Sequence, residues 1–542
     1  RFSDPLRASD GLQLMNRHFY GPLHRFPSQF KEIDMRYRGV PASNGEFGSK
    51  SHPTPGGNSE SKEEQFTRYQ FISHYALGLG GAFIANWTWR DSWEAIFAYG
   101  TFRQDHVPKD IAKVYRATAL LAASIRPVHR PPEVYVLLPD GHRLSYWPLN
   151  ESLYRALNEM MNQRVDFGVI HEANLGELPT ECKTLLFPLP YLPTDETMTC
   201  LESFVREGGS LYLSGDLCYD AGDLQRRHPQ RLVALCGVEA DEPGEKGLNE
   251  FGKARDAIRS TGLLPGLRAY QGRNRLSLRL RGAKAAAVAE NGRPVAAIHN
   301  LGKGRVVFTA DPLEVDEKLL AASGMYPAFL AMAGVKGHEL KPQPPELHCF
   351  GVKTRQGNAW VLYNRHAAKP HDPFHVGLPK FFTSEDVTPV TVREAGLTLA
   401  LAPMKPGFAH VSSGGDLLAV QAQGPVSRKG VPVLETDTHA IVIALDGKDL
   451  RRSEHLLVTG FYPGTIRITS DMQGLQAQLG ELREGKWVPL SDLALARKPG
   501  TVALSLDNET ALEMILLSTN PPQAAKHLQV LAGFGPVPQD QE

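Results

Sequence analysis

The first 126 residues alternate between short apolar runs and stretches with helical spacing of apolar side chains. Residues 40–48 form a strand-like run that meets a turn signal at Asn44-Gly45. Residues 82–89 are apolar enough to predict a fully buried strand. Helical periodicity is present over residues 30–37, 63–79 and 109–125. This alternation predicts the strand–helix repeat of a barrel or a doubly wound sheet.

Strand and helix patterns also alternate over residues 133–335. Strands are predicted at 133–139, 166–171, 184–188 and 210–215, with helices at 151–162 and 194–208. Such regular alternation predicts a parallel sheet with flavodoxin-like winding. Shorter alternating strands from residue 276 and a helix over 317–333 extend the same domain.

Two proline-rich segments, 127–132 and 341–345, divide the chain. The part after the second is rich in short strands separated by Gly and Pro, which predicts one or two β-sandwich domains. The predicted fold class is therefore α/β. It consists of a C-terminal part of a (β/α)8 barrel over 1–126, a flavodoxin-like domain over 133–335 and a β-rich region over 346–542.

Composition excludes several functions. Lys+Arg and Asp+Glu both number 59, so no basic surplus is available to bind nucleic acid. No uncharged apolar run approaches the ~18 residues that a membrane span requires. The five cysteines form no C-x-x-C pair, which argues against structural zinc and favours a reducing, cytoplasmic compartment. No Gly-x-Gly-x-x-Gly loop is present, and we expect neither metal nor cofactor.

The candidate chemistry lies where the predicted strands of the first region end. Glu46 follows the first complete strand, and a carboxylate there is where a parallel barrel carries its catalytic groups. His18 and Tyr20 precede it, and Trp87 and Trp89 end the next strand. A solvated loop glutamate and core tryptophans are the alternative interpretations of the same residues.

Three motifs carry a resemblance to a known family. His18-Phe-Tyr, Asn44-Gly-Glu-Phe-Gly and Ala85-Asn-Trp-Thr-Trp-Arg-Asp resemble the last three barrel strands of glycoside hydrolase family 42 β-galactosidases and their clan-A relatives. The resemblance implies that Glu46 is the nucleophile of a retaining hydrolase acting on β-galactosides or related β-glycosides. It also implies that Trp87 or Trp89 forms a platform for the sugar, with His18 and Tyr20 bordering the pocket.

The general acid of that family has no counterpart in this sequence. The family places the acid after an Asn-Glu pair that ends its fourth strand, whereas the pairs here begin at Asn150, Asn158 and Asn249, in helical or polar settings. About 125 residues precede the first linker, against ~250 for a complete barrel. We therefore expect an additional N-terminal barrel segment or chain to supply the acid.

Residues 133–335 resemble the trimerisation domain of the same family, which is similar to class I glutamine amidotransferases without their active site. No cysteine occupies a Gly-x-Cys-x-Gly elbow, since Cys218 stands in Gly-Asp-Leu-Cys-Tyr. The resemblance implies a homo-oligomer, most simply a trimer. Asp140, His142 and Trp147 follow the first strand of this domain, where a solvated loop is the favoured interpretation. A non-catalytic assembly or carbohydrate-binding protein is the alternative function for the chain.

Overall fold

The structure is a computed structural model that describes residues 12–52, 59–92, 98–140, 147–220, 222–241, 256–273, 276–343, 346–365 and 387–533. In the part of the chain that the structure describes, no helix is both long enough and apolar enough to cross a membrane. Contacts divide the chain into two compact units. The first comprises Arg1–Asn16, Pro27–Ala42 and Arg130–Gly337, and the second comprises Arg17–Phe26, Ser43–His129 and His338–Glu542.

The N-terminal region contains a three-stranded sheet. Its strands β1 (Met15–His18), β2 (Ala42–Phe47) and β3 (Ile84–Asn86) lie in the order β1-β2-β3, and β2 and β3 run parallel. Three helices accompany them: α1 (Phe26–Lys31), α2 (Lys62–Gly78) and α3 (Asp110–Ala123). The helices predicted over 63–79 and 109–125 are thus confirmed as α2 and α3. A capping box formed by Ser61 and Glu64 starts α2.

The helix predicted over residues 30–37 is wrong, because α1 ends at Lys31 and only a 3₁₀ turn follows at Arg36–Arg38. The carboxylate of Asp34 accepts hydrogen bonds from the Lys31 ammonium at 2.8 Å and from the Arg36 backbone N–H at 3.3 Å. Local side-chain bonding of this kind competes with helix propagation.

The prediction of a fully buried strand over 82–89 is also wrong. β3 covers only Ile84–Asn86, all three of its residues are half-buried, and Trp87 and Trp89 beyond it are 44% and 67% exposed. The reason is position in the sheet. Among the described residues β3 itself pairs only with β2, and the stretch after it leaves the sheet to pair with residues 99–102, where the Thr88 N–H donates to the Tyr99 carbonyl.

The first unit is built on a nine-stranded mixed sheet. From one edge to the other its order is β10-β9-β12-β13-β14-β7-β6-β4-β5, and the five strands from β14 to β5 are parallel. In chain order those five have the 2-1-3-4-5 arrangement of flavodoxin-like sheets. Its strands are β4 (Val134–Leu138), β5 (Gly168–His171), β6 (Thr184–Phe187), β7 (Ser210–Ser214), β9 (Asp256–Ser260), β10 (Tyr270–Gly272), β12 (Lys284–Ala289), β13 (Pro294–Leu301) and β14 (Gly304–Thr309).

Helices and a small hairpin complete this unit. The hairpin pairs β8 (Val238–Asp241) with β11 (Ser277–Leu280), and the helices are α4 (Trp147–Asn162), α5 (Asp195–Glu207), α6 (Glu317–Ser323) and α7 (Met325–Met332). The single helix predicted over 317–333 is therefore interrupted. Gly324 separates the two pieces with a φ of 64°, a left-handed conformation that favours glycine.

The solvated-loop interpretation of Asp140 is wrong. Asp140 is buried, its carboxylate lies 3.2 Å from His171 Nδ1, and it accepts the Ala173 backbone N–H at 2.8 Å. Trp147 begins helix α4, and His142 lies outside the described residues. Asp140 thus links the carboxyl end of β4 to that of β5, which ends at His171.

Two antiparallel sheets form the β-rich part of the second unit. One has the order β15-β18-β19-β22-β23-β26-β30-β29 and the other β16-β17-β20-β21-β24-β25-β31-β27-β28, and aliphatic side chains from both share one core. The strands of the first are β15 (Leu340–Lys341), β18 (Thr388–Val392), β19 (Leu397–Leu401), β22 (Val426–Arg428), β23 (Val431–Thr436), β26 (Gly464–Thr469), β29 (Ala496–Lys498) and β30 (Thr501–Leu506). Those of the second are β16 (Leu347–Lys353), β17 (Gly357–Asn364), β20 (Pro406–Ser412), β21 (Leu417–Ala422), β24 (Ala440–Ala444), β25 (His455–Gly460), β27 (Gln476–Arg483), β28 (Lys486–Leu493) and β31 (Met514–Ser518). Helix α8 (Pro521–Leu531) packs against β31 and β25.

Helix α2 packs against this β-rich part of its own unit. His74 Nε2 lies 2.7 Å from the Gln421 amide oxygen, and the Tyr75 hydroxyl lies 2.9 Å from His348 Nδ1. All four side chains are buried, so each polar contact replaces water that folding removes. The helix that follows the Glu46 loop is therefore fixed at its C-terminal half by buried polar contacts.

Candidate active site

Glu46 is the penultimate residue of β2, at the carboxyl end of that strand. The next residue, Phe47, is fully buried, whereas the Glu46 side chain is 26% exposed. The pairing of β2 with β3 shifts register between Asn44 and Phe47, an irregularity of the kind that redirects a side chain at the end of a strand. The predicted position of the carboxylate at a strand end is confirmed.

Two side chains from the segment around β1 bind the same oxygen of Glu46. His18 Nδ1 lies 3.1 Å from Oε2, and the Tyr20 hydroxyl donates to Oε2 at 3.3 Å. Burial raises the pKa of Tyr20, and the neighbouring carboxylate raises it further, so the phenol stays protonated and donates. No described residue donates a hydrogen bond to Oε1. Within the described part of the chain, the carboxylate is therefore held through Oε2 and not through Oε1.

An aromatic cluster supports the strand beneath the carboxylate. The Phe47 ring lies 5.0 Å from that of Tyr69 and 6.1 Å from that of Tyr115, measured between centroids. The Tyr115 hydroxyl donates to the carbonyl of Ile84 at 2.6 Å, and the Tyr69 hydroxyl donates to Asn86 Oδ1. Rings from α2 and α3 thus join β2 to β3 directly behind the site.

Gly48 lets β3 approach the Glu46 loop closely. A Cβ on Gly48 would lie 2.5 Å from the Trp87 carbonyl oxygen, a distance at which neighbouring backbone must move. The Trp87 backbone N–H donates to the Phe47 carbonyl at 2.7 Å. Trp87 is therefore attached by its backbone to the residue that follows the carboxylate.

Trp89 lies farther along the same loop and contacts a different partner. Its ring packs on Phe102 with centroids 4.2 Å apart and an interplanar angle of 30°. The structure thus joins His18, Tyr20 and Glu46 through side chains and Trp87 through the backbone. The described contacts of Trp89 do not include Glu46.

Asn44 lies two residues before Glu46 on β2. Its side chain is fully buried, and neither its amide nitrogen nor its amide oxygen finds a hydrogen-bond partner among the described residues. Leaving a buried amide unsatisfied costs ~1–3 kcal/mol.

A polar cleft of about 570 Å³ opens beside the ends of β2 and β3. In it the Lys109 ammonium lies 2.7 Å from the carboxylate of Asp91 and 2.5 Å from the Ser51 hydroxyl, and His52 Nε2 lies 3.5 Å from Asp91. Burial lowers the pKa of Lys109, and the hydrogen bond to Asp91 acts in the opposite direction. The sequence did not identify Lys109 as a site residue. It precedes a helix about 60 residues after Ser51, and only folding brings the two side chains together.

No group of three or more His, Cys, Asp or Glu side chains with metal-binding geometry occurs among the described residues. The five cysteines are all free thiols, and four of them are buried.

Comparison with solved structures defines the fold. A catalytic mutant of Gan42B, a GH42 β-galactosidase from G. stearothermophilus, superposes with a TM-score of 0.53 at 15% identity, over 72% of this chain and 58% of that one. The β-galactosidase of Bacillus circulans sp. alkalophilus gives 0.53 at 16% identity, over 67% and 56%. The cold-adapted β-galactosidase of Rahnella sp. R3 gives 0.53 at 14% identity, over 73% and 60%.

The chain shares the fold of these β-galactosidases. It spans between about half and two thirds of the length of each of these three structures. At the level of sequence, neither a family model nor a curated protein matches it. The GH42 resemblance noted in the three motifs and the likeness of the fold therefore agree with each other.

Proposed function

We propose that this chain is the rear part of a retaining glycoside hydrolase that acts on β-galactosides or related β-glycosides, with Glu46 as the nucleophile. The observation that carries the proposal is the state of the Glu46 carboxylate. It lies one residue before the end of a parallel strand, His18 and Tyr20 hold Oε2, and no described residue donates to Oε1. An oxygen without a hydrogen bond is the better nucleophile, because no donor competes for its lone pair.

In the first step, Oε1 attacks the anomeric carbon and the bond to the leaving-group oxygen breaks. His18 and Tyr20 keep Oε2 oriented during the attack, which preserves the geometry of the reacting oxygen. The departing alkoxide requires a proton from a general acid, ~5–5.5 Å from the nucleophile in a retaining enzyme. In the second step, the conjugate base of that acid takes a proton from water, the water oxygen attacks the same carbon, and Glu46 is released as the carboxylate.

The tryptophans supply the apolar surface that a sugar ring requires. Trp87 and Trp89 are among the most exposed large side chains of the second unit, and both follow the strand adjacent to Glu46. The C–H faces of a pyranose stack on an indole ring. We assign Trp87 the position nearer the cleaved bond, because its backbone N–H is hydrogen-bonded to the carbonyl of Phe47, the residue after Glu46.

A general acid is needed only when the leaving group is poor. Comparing a substrate that has a good leaving group with substrates that have poor ones therefore tests the proposal. We expect the chain by itself to release dinitrophenol from 2,4-dinitrophenyl β-galactoside in a burst of one equivalent. Lactose and methyl β-galactoside should stay intact, because their leaving groups require protonation. Rapid-mix absorbance and peptide mass spectrometry would measure the burst and place the sugar on Glu46. A sugar attached elsewhere contradicts the assignment.

Completion of the sheet by another segment belongs to the same proposal. β1 and β3 are the outer strands of the three-stranded sheet, and the side-chain amide of Asn44 has no hydrogen-bond partner in the described part of the chain. We expect native mass spectrometry of the purified native material to show this chain together with an N-terminal barrel segment. We also propose a homotrimer with its contacts in residues 133–335. A mass equal to this chain alone at micromolar concentration contradicts both expectations.

One observation favours the alternative of a non-catalytic carbohydrate-binding or assembly protein. Among the described residues the polar contacts of the Glu46 carboxylate are with His18 and Tyr20, and neither partner is a carboxylic acid. A binding protein would show saturable affinity for galactosides by calorimetry. It would give no covalent adduct, even with the dinitrophenyl substrate.

A further inference from the structure

A pocket of about 90 Å³ lies in the second unit. It is lined by residues 123, 124 and 126 at the end of α3, by strands of the β-rich part and by helix α8. The polar residues that line it include Arg126, Gln356 and His410, and the apolar ones include Leu418, Ile443 and Val530. Its volume is below the ~150 Å³ of a cavity that accommodates benzene. Its occupant can therefore contain only a few heavy atoms.

The hydrogen bonds around His410 decide which of its ring nitrogens carries the proton. The Thr354 hydroxyl oxygen accepts two backbone N–H groups, from Gln356 at 3.2 Å and from Gly357 at 2.8 Å. Because both of its lone pairs are used, this hydroxyl donates its own proton to His410 Nε2, which lies 3.0 Å away. In the neutral ring the proton is then on Nδ1.

His410 Nδ1 is consequently a buried N–H donor that no described residue satisfies. Burial lowers the pKa of His410 to about 4, so the ring is neutral near pH 7 and this tautomer applies there. An unsatisfied donor on the wall of a pocket favours an occupant that supplies an acceptor oxygen.

Arg126 adds a positive charge to the same wall. Its backbone carbonyl accepts the Arg355 N–H at 3.2 Å, but its guanidinium forms no hydrogen bond or ion pair with any described side chain. The other titratable groups of the wall are His410 and His527, and none of the wall residues is acidic. The charge of the pocket is therefore complementary to an anion.

We propose that this pocket binds a short-chain monocarboxylate. Its carboxylate accepts from the Arg126 guanidinium and from His410 Nδ1–H, and its alkyl group packs on Leu418 and Ile443. Arginine pairs with carboxylates through two parallel N–H bonds, so the Arg126 guanidinium is a suitable partner for the carboxylate. Half of the wall is apolar, which favours an anion with a short hydrocarbon tail over an inorganic ion. The proposal concerns a site independent of Glu46 and does not depend on the glycosidase function.

The test uses the full chain labelled with ¹⁵N in its histidine rings. We expect propionate to bind saturably at millimolar concentration and to shift the His410 Nδ1–H signal. Propionamide, which has nearly the same shape without the charge, should bind at least ten times more weakly. Equal shifts from propionate and from chloride at matched ionic strength would overturn the proposal, and so would the absence of saturation.

Substitution of the arginine locates the site. Arg126→Met keeps most of the side-chain length and removes the charge, and it should weaken propionate binding at least tenfold. Arg355→Met removes the same charge from a neighbouring exposed position outside the pocket and should change the affinity less than twofold. Equal effects of the two substitutions would show a general charge effect and reject the site. The propionamide comparison needs no variant, so the proposal stays testable even if Arg126→Met fails to fold.

Discussion

Replacing Glu46 by Gln should lower kcat/KM of the native assembly about 10⁴- to 10⁶-fold, the range seen when a covalent nucleophile is removed. The amide keeps the shape of the side chain and still accepts a hydrogen bond from Tyr20 or His18, but it cannot attack the anomeric carbon. Folding should change little, because the side chain is partly exposed and lies at a strand end. Steady-state kinetics with an aryl β-galactoside measure the loss. A 2-deoxy-2-fluoro glycoside should no longer label the protein.

Two further variants sharpen this result. Glu46→Gly opens space beside the anomeric carbon, so added azide should restore turnover and give the α-glycosyl azide, since one displacement inverts the centre. Glu290→Gln removes a charge from an exposed turn between β12 and β13 and should leave kcat/KM unchanged within twofold. Full activity of Glu46→Gln would refute the nucleophile assignment.

Replacing Phe47 by Ala should lower the free energy of unfolding of the second unit by ~3–5 kcal/mol. The Phe47 ring is fully buried against Tyr69 and Tyr115, so its removal leaves a cavity behind β2. The catalytic rate should fall as well, because Glu46 is the preceding residue on the same strand. Urea unfolding followed by tryptophan fluorescence measures the change in stability.

Phe83 provides the matched control for this substitution. It is a phenylalanine of the same sheet region, directly before β3, and it is 46% exposed. Phe83→Ala should therefore cost less than ~1 kcal/mol in the isolated chain. Equal losses for the two variants would mean that the aromatic cluster does not support the strand that carries Glu46.

Local sequence patterns predicted the elements on which the site is built. Helix α3 follows from the 3.6-residue spacing of its apolar side chains, and the parallel strands from β4 to β7 follow from short apolar runs between helices. Helix α2 was predicted in the same way, but it buries every residue from Tyr69 to Ala76 rather than one face. Glu46 was identified because a turn signal and the motif around it place a carboxylate at a strand end. These features depend on neighbours a few residues away, which a sequence displays directly.

Burial along β3 could not be predicted in the same way. Residues 82–89 are apolar, and apolar runs are usually buried strands, yet Trp87 and Trp89 are exposed here. Whether such a run is buried depends on which segments pair with it, and in the described part of the chain β3 pairs with β2 alone. Strand pairing is a property of the assembled sheet, so it cannot be predicted from the composition of one strand.

By itself, then, the sequence determined the helices, the parallel strands and the carboxylate at the end of β2. Only the tertiary structure decided that His18 and Tyr20 share one oxygen of Glu46, that Lys109 joins Ser51 and Asp91, and that His410 and Arg126 line one pocket. The latter two residues are 284 positions apart, the difference between 410 and 126. Their meeting is set by strand register and helix packing over the whole unit, because hydrogen-bond geometry is fixed only when distant segments dock.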